Sequence, residues 1–206
     1  MSILKLATRA PAILAAATLV SAIPRLAVAQ GGLELTPWAG AYIPTRNSFS
    51  RLGGDVFNRD VSVIGGARLT FWGNNWLGFE ATGGYAPAKI GGETINETRT
   101  DLLAASGRLL LGVSPATNRV GVFLAAGPAL LTRGSNPFDD DRSRTDFGGN
   151  AGIGFRFALN DRGSSALRLD FEDYLYNGDF GGGDKFQNDL VASLGLSIGL
   201  SGPGQR

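Results

Sequence analysis

Arg68, Glu80, Arg108, Arg156, Arg168, Asp170 and Glu172 all stand in apolar, strand-like surroundings, and Glu34 joins them near the start of the first such segment. Carboxylates and guanidiniums in that company have two uses: acid-base or electrostatic catalysis, or mutual neutralisation inside a packed interior. The chain contains no histidine and no cysteine. That removes the usual general base, the Ser-His and Cys-His pairs, thiolate metal sites and disulfides together. After residue 29 the only lysines are Lys89 and Lys185, both expected in loops, so a Ser-Lys nucleophile has no support. Asp139-Asp140-Asp141, beside Arg142 and Arg144, offers carboxylates to Ca²⁺, but a solvated loop tip is the simpler reading. Asn177-Gly178-Asp179 with Gly181-Gly182-Gly183-Asp184 has the composition of one glycine-aspartate calcium repeat, and a single copy cannot stack. No catalytic, cofactor-binding or metal-ligating residue is therefore expected.

The elements that must position the eight charged groups announce themselves by alternation. Residues Leu167 to Glu172 read LRLDFE, with Arg168, Asp170 and Glu172 at every second position. Successive side chains of a strand point to opposite faces, so one face is apolar and the other charged. Strand-like segments of this kind recur at 33–43, 61–72, 76–86, 101–113, 119–131, 145–158, 165–176 and 188–200. Each has about the length that a tilted membrane-crossing strand needs. Connections alternate between long (44–60, 87–100, 132–144, 177–187) and short (73–75, 114–118, 160–164), as when short turns lie on one side of a membrane and larger loops on the other.

The first 29 residues have the form of a secretory signal. Lys5 and Arg9 precede an apolar run at 10–23, and Ala27-Val28-Ala29 supplies the small-residue cleavage pattern. Residues 30–206 are then expected to form one barrel domain. Removing the leader takes away Lys5, Arg9 and Arg25 and no acid, leaving 16 basic against 18 acidic residues. Such a balance offers no basic field to nucleic acid. Beyond the leader no charge-free apolar run approaches the ~18 residues of a transmembrane helix, so a membrane crossing requires a closed barrel.

Parity decides which face meets what. One face gathers Leu69, Phe79, Leu109, Leu124, Ile153, Phe171, Leu194 and their like, with Asp173, near a strand end, as its charged exception. The other holds the arginines and carboxylates among Gly, Ser, Ala and Thr, with no lysine in any strand. Small residues with a few ion pairs suit a crowded interior, and an eight-stranded barrel is just wide enough for its own side chains to fill. Four arginines facing Glu34, Glu80, Asp170 and Glu172 are expected to form an internal salt-bridge network rather than an ion-selective pore. Phe71, Trp72, Trp76, Phe155 and Phe157 near short turns, and Tyr85 and Phe147 toward long loops, are expected to form two interfacial belts. In the first strand Trp38 and Tyr42 share Glu34's face, and a bulge or a late strand start would restore parity.

A leader, eight alternating strands, short and long connections in turn, and the terminal strand from Asp189 to Leu200 (DLVASLGLSIGL) resemble the small bacterial outer-membrane β-barrel proteins of the OmpA/OmpX-like superfamily. The resemblance implies an all-β, eight-stranded antiparallel up-and-down transmembrane barrel placed in the outer membrane by the barrel assembly machinery. It implies outer-membrane lipid as a partner, no cofactor, and a non-enzymatic structural or surface-interaction role. Three other readings stay open: a soluble periplasmic lipocalin-like ligand-binding barrel, which inverts the faces; a narrow porin; and an outer-membrane lipid enzyme, although such enzymes rely on histidine.

Overall fold

Alternation over long segments yields a wall that closes on itself. The computed structural model describes residues 32–45, 58–59, 61–87, 89–92, 95–99, 101–134, 143–160, 164–179 and 184–201. The expected leader and the Asp139-Asp140-Asp141 run lie outside the described residues, as do Gly181, Gly182 and Gly183. In chain order the strands are β1 (Gly32–Pro44), β2 (Asn58–Arg59), β3 (Ser62–Trp72), β4 (Leu77–Ala86), β5 (Lys89–Gly92), β6 (Ile95–Arg99), β7 (Asp101–Gly112), β8 (Val120–Gly134), β9 (Ser143–Ala158), β10 (Ser165–Asp179) and β11 (Asp184–Ser201). Eight of them form a closed barrel in the order β1-β11-β10-β9-β8-β7-β4-β3, and β2, β5 and β6 form a separate three-stranded sheet. All barrel pairings are antiparallel, including the β1–β11 seam, where Trp38 faces Gly195 and Ala39 faces Leu194. Closure leaves no unpaired edge in the wall, the condition for strands to sit in hydrocarbon.

The faces are those of a membrane barrel. Phe171 is 46% exposed and Leu194 51%, whereas Arg68, Arg156, Arg168 and Asp170 are buried. A soluble ligand-binding barrel needs the opposite arrangement, so the lipocalin-like reading is overturned.

Four expectations need correction. First, the strands run past their expected ends: β8 continues to Gly134, β9 starts at Ser143, and β10 and β11 pair as far as Asp179 with Asp184. Apolar alternation stops where a strand leaves hydrocarbon, but its ladder of backbone hydrogen bonds continues into water, so the sequence there reads as loop. The expected loops 44–60 and 87–100 likewise contain β2, β5 and β6. Second, Lys89 and Lys185 consequently lie within strands. Third, Trp72 does not join a belt; it is buried, edge-on to Phe123 at 6.0 Å between ring centroids. Fourth, β1 carries a register irregularity at Leu33/Glu34 on its β11 side, yet the parity of Thr36, Trp38 and Tyr42 is unchanged and all three face inward, buried. Nothing had to restore parity, because the lumen accepts large aromatics where a nearby strand presents glycine. A Cβ added to Gly84 would lie 2.7 Å from the Trp38 ring, and one on Gly154 2.0 Å from Phe123.

Candidate functional site

Inward-facing residues from strands far apart in sequence fill the lumen in layers. The middle layer is ionic. Arg68 comes from β3, Glu80 from β4, Arg108 from β7, and Arg168, Asp170 and Glu172 from successive inward positions of β10. They form a closed ring of alternating sign. Arg68 pairs with Glu172, and Glu172 with Arg108 at 3.0 Å. Arg108 pairs with Glu80, and Glu80 with Arg168. Arg168 then meets Asp170 at 2.8 Å, and Asp170 returns to Arg68 at 3.5 Å. Three positive and three negative charges therefore cancel within one cluster, as burial demands.

Neutral groups complete the carboxylates' hydrogen bonding. Thr70 donates to Glu80 at 2.5 Å. Asn150 donates its amide N–H to Glu172 at 3.3 Å and accepts from Arg108 at 3.1 Å. Tyr174 donates to Glu172 at 3.2 Å, and Ser193 receives a bond from Arg68 at 2.8 Å. Aromatic faces cap the ring from either side. Arg68 lies over the Trp38 ring at 4.5 Å, and Arg168 over Phe123 at 4.6 Å, geometries that favour a guanidinium out of water.

Apolar layers lie above and below. On the outer side Trp38, Ile64, Leu102, Leu131 and Val191 cluster with Tyr174 and Tyr176. Toward the short turns, Trp72, Leu110, Phe123 and Ala125 cluster, with Ala116 of the β7–β8 turn packed against them. That turn is tied down: Ala116 N–H donates to the Asn75 carbonyl of the neighbouring turn at 2.8 Å, and Arg156 donates to the Ala116 carbonyl at 3.2 Å. The same Arg156 pairs with Glu34 at 3.0 Å. The eight residues singled out in the sequence therefore fall into two groups, six in the ring and the Glu34–Arg156 pair near the turns.

Sequence reasoning missed a second ionic layer at the outer end. Arg133 reaches Asp146 and Asp189, both at 2.9 Å, and lies over the Tyr176 ring at 4.4 Å. Asp189 also accepts from Tyr42 and, at 2.7 Å, from Tyr176. Arg133 belonged to a segment that reads as loop, and Asp146 sits beside it. Following inward parity beyond Leu131 on β8 and Val191 on β11 would have reached Arg133 and Asp189. Every carboxylate of these layers is engaged with arginine, tyrosine or amide donors, so the site as built is a filled interior rather than a cavity lined with free acids.

Comparison with known proteins agrees with this architecture. Residues 12–198 match the family described as outer membrane protein beta-barrel domain. Among solved structures, the outer membrane protein OprG from Pseudomonas aeruginosa is 14% identical, with a TM-score of 0.57, covering 83% of this chain and 97% of that one. Neisserial surface protein A is 14% identical at a TM-score of 0.52, covering 81% and 96%. The N-terminal β-barrel domain of P. aeruginosa OprF is 12% identical at 0.51, covering 83% and 98%. At such identities the likeness is one of fold. No curated protein sequence matches the chain. With the family match spanning nearly the whole of it, the chain belongs to the outer membrane protein beta-barrel domain family and resides in the outer membrane.

Proposed function

We propose that this protein is a non-enzymatic barrel with a sealed lumen, serving a structural or surface-interaction role in the cell envelope. The observation that carries the reading is the layered interior. A charge-neutral ring of three arginines and three carboxylates lies between two apolar clusters, with a further Arg133–Asp146–Asp189 layer outside. A conducting pore keeps water and unpaired charge along its axis, whereas here the inward charges of the two ionic layers, among the described residues, pair with one another. Surface specificity belongs to the outer connections, where β2, β5 and β6 build extra sheet. The partners on this reading are outer-membrane lipid and, during insertion, the barrel assembly machinery.

The test is fractionation followed by recording. The folded protein should partition with the outer membrane, need detergent for extraction and migrate differently on a denaturing gel before and after boiling. In planar bilayers it should give no discrete current steps. Steps that change on Arg68→Ala or Arg108→Ala would replace this reading with that of a narrow pore.

A further inference from the structure

The lipid-facing side of the wall changes character before its strands end. Going outward on β11 the outer face reads Leu194, Ala192, Leu190 and then Asn188. On β10 it reads Leu169, Phe171 and then Asp173, although that strand continues to Asp179. Asp173 and Asn188 end the apolar run and engage each other: Asn188 Nδ2 donates to Asp173 Oδ2 at 3.3 Å, and Thr45 donates to Asn188 Oδ1 at 2.7 Å. Beyond them lies a row with two large aromatic side chains. Asn177 pairs with Phe186. The β9–β10 register, which sets Gly148 against Tyr176, brings Phe147 to the other flank of Asn177 at its next step. Residues directly opposite one another in a ladder share a face. Phe147 is 77% exposed and Phe186 59%, and Asn177 between them is exposed as well.

This row straddles a boundary. Phe147 stands at the last apolar outward position of β9, before Thr145, whereas Phe186 stands outside Asn188. The two phenylalanines belong to strands two spacings apart, about 10 Å, which leaves room for a pair of sugar rings laid end to end. The carbon faces of pyranoses stack on phenyl rings, and a primary amide offers both donors and an acceptor to neighbouring hydroxyls. Asn188 is committed to Asp173 and Thr45, so Asn177 is the amide open to a ligand. Charge disfavours a phosphate here. Among the described residues neither this row nor the two below it, Gly149–Leu175–Asn188 and Ala151–Asp173–Leu190, holds a lysine or arginine, while Asp173 is an acid. The patch is continuous with the wall that lipid covers, so an occupant anchored in the same leaflet reaches it without leaving the membrane.

We propose that Phe147, Asn177 and Phe186 form a docking surface for the uncharged saccharide headgroup of a glycolipid. Its sugar rings stack on the two phenyl groups, the Asn177 amide holds a pair of hydroxyls, and its acyl chains lie along the apolar band below.

The experiment places the full barrel in phosphatidylcholine nanodiscs doped with digalactosyl diacylglycerol of the same acyl chains and counts retained lipids by native mass spectrometry. The wild type should retain the glycolipid with about fivefold preference, what one net neutral hydrogen bond is worth. Asn177→Ala should remove most of that preference. Phe147→Leu and Phe186→Leu, which keep the surface apolar but not flat, should each lower it, an effect that a plain hydrophobic anchor would not show. The heat-shifted gel band reports that each variant is folded. Equal retention of the two lipids by the wild type, or a preference unchanged in any of the three variants, would overturn the proposal. So would phosphatidylglycerol retained ahead of the glycolipid, which would reveal a phosphate site, or the free disaccharide bound as tightly as the lipid, which would reveal a site for soluble glycans. Wild-type barrels held together as dimers through this face would overturn it too.

Discussion

Glu80 meets three arginines and Glu172 two, so the consequences of removing one side chain depend on how many partners it strands. Arg168→Met leaves Glu80 and Asp170 each short of a guanidinium in a buried setting. It should cost about 3–5 kcal/mol, the usual effect of breaking a buried pair from one side. Equilibrium unfolding in urea from lipid vesicles, followed by tryptophan fluorescence, reads this directly; a midpoint within error of the wild type would mean that the ring contributes nothing. Glu34→Gln should cost less, because its single arginine, Arg156, keeps the Ala116 carbonyl as a partner. The types and parity of Arg68, Glu80, Arg108, Arg168, Asp170 and Glu172 made their common interior legible. Their closed order was not, because which carboxylate meets which arginine depends on strand tilt and register around the whole barrel, and alternation along one strand carries no such information. Trp38 and Tyr42 failed differently: parity placed them with Glu34, and a bulge or a late strand start was expected to move them off that face, whereas both lie inward and buried.

At the scale of strands, two neighbouring glycines predict opposite outcomes. A Cβ on Gly127 of β8 would lie 1.9 Å from the Gly107 carbonyl oxygen, whereas one on Gly107 of β7 would meet nothing within 4 Å. Gly127→Ala should therefore force β7 and β8 apart and lower folding yield sharply. Gly107→Ala should be neutral or mildly stabilising, by up to ~1 kcal/mol through loss of unfolded-state freedom; the fraction of heat-shifted band after refolding separates the two. On the outer face Leu194→Arg should destabilise by about 2–4 kcal/mol, the cost of a cation on a lipid-exposed strand near midplane, measured in the same urea titration. Strand centres were legible because lipid and lumen impose opposite demands on alternate residues. Strand ends were not: there the inner face turns ionic and the outer face loses its apolar run, so β8 through β11 drop the alternation that marks a strand although Arg133, Asp146 and Asp189 are still buried inside.

For the whole molecule, closure and filling are separable properties with separate readouts. Arg133→Ala removes the outermost ionic layer only, leaving the ring and the Trp72–Phe123 cluster beneath it. Planar bilayers containing that variant should stay silent, and current steps would show that the outer layer alone sealed the wild type. The ring also bears on how the chain reaches its final state. Arg68 and Glu172 are 104 positions apart, and the members divide unequally along the chain: β3, β4 and β7 bring two arginines and one carboxylate, while β10 brings one arginine and two carboxylates. A hairpin-by-hairpin crossing would therefore drag an uncompensated positive charge through hydrocarbon until the second half caught up. The nascent sheet has instead to curl with its inner side still wet, and lose that water only as the final seam between β1 and β11 zips shut.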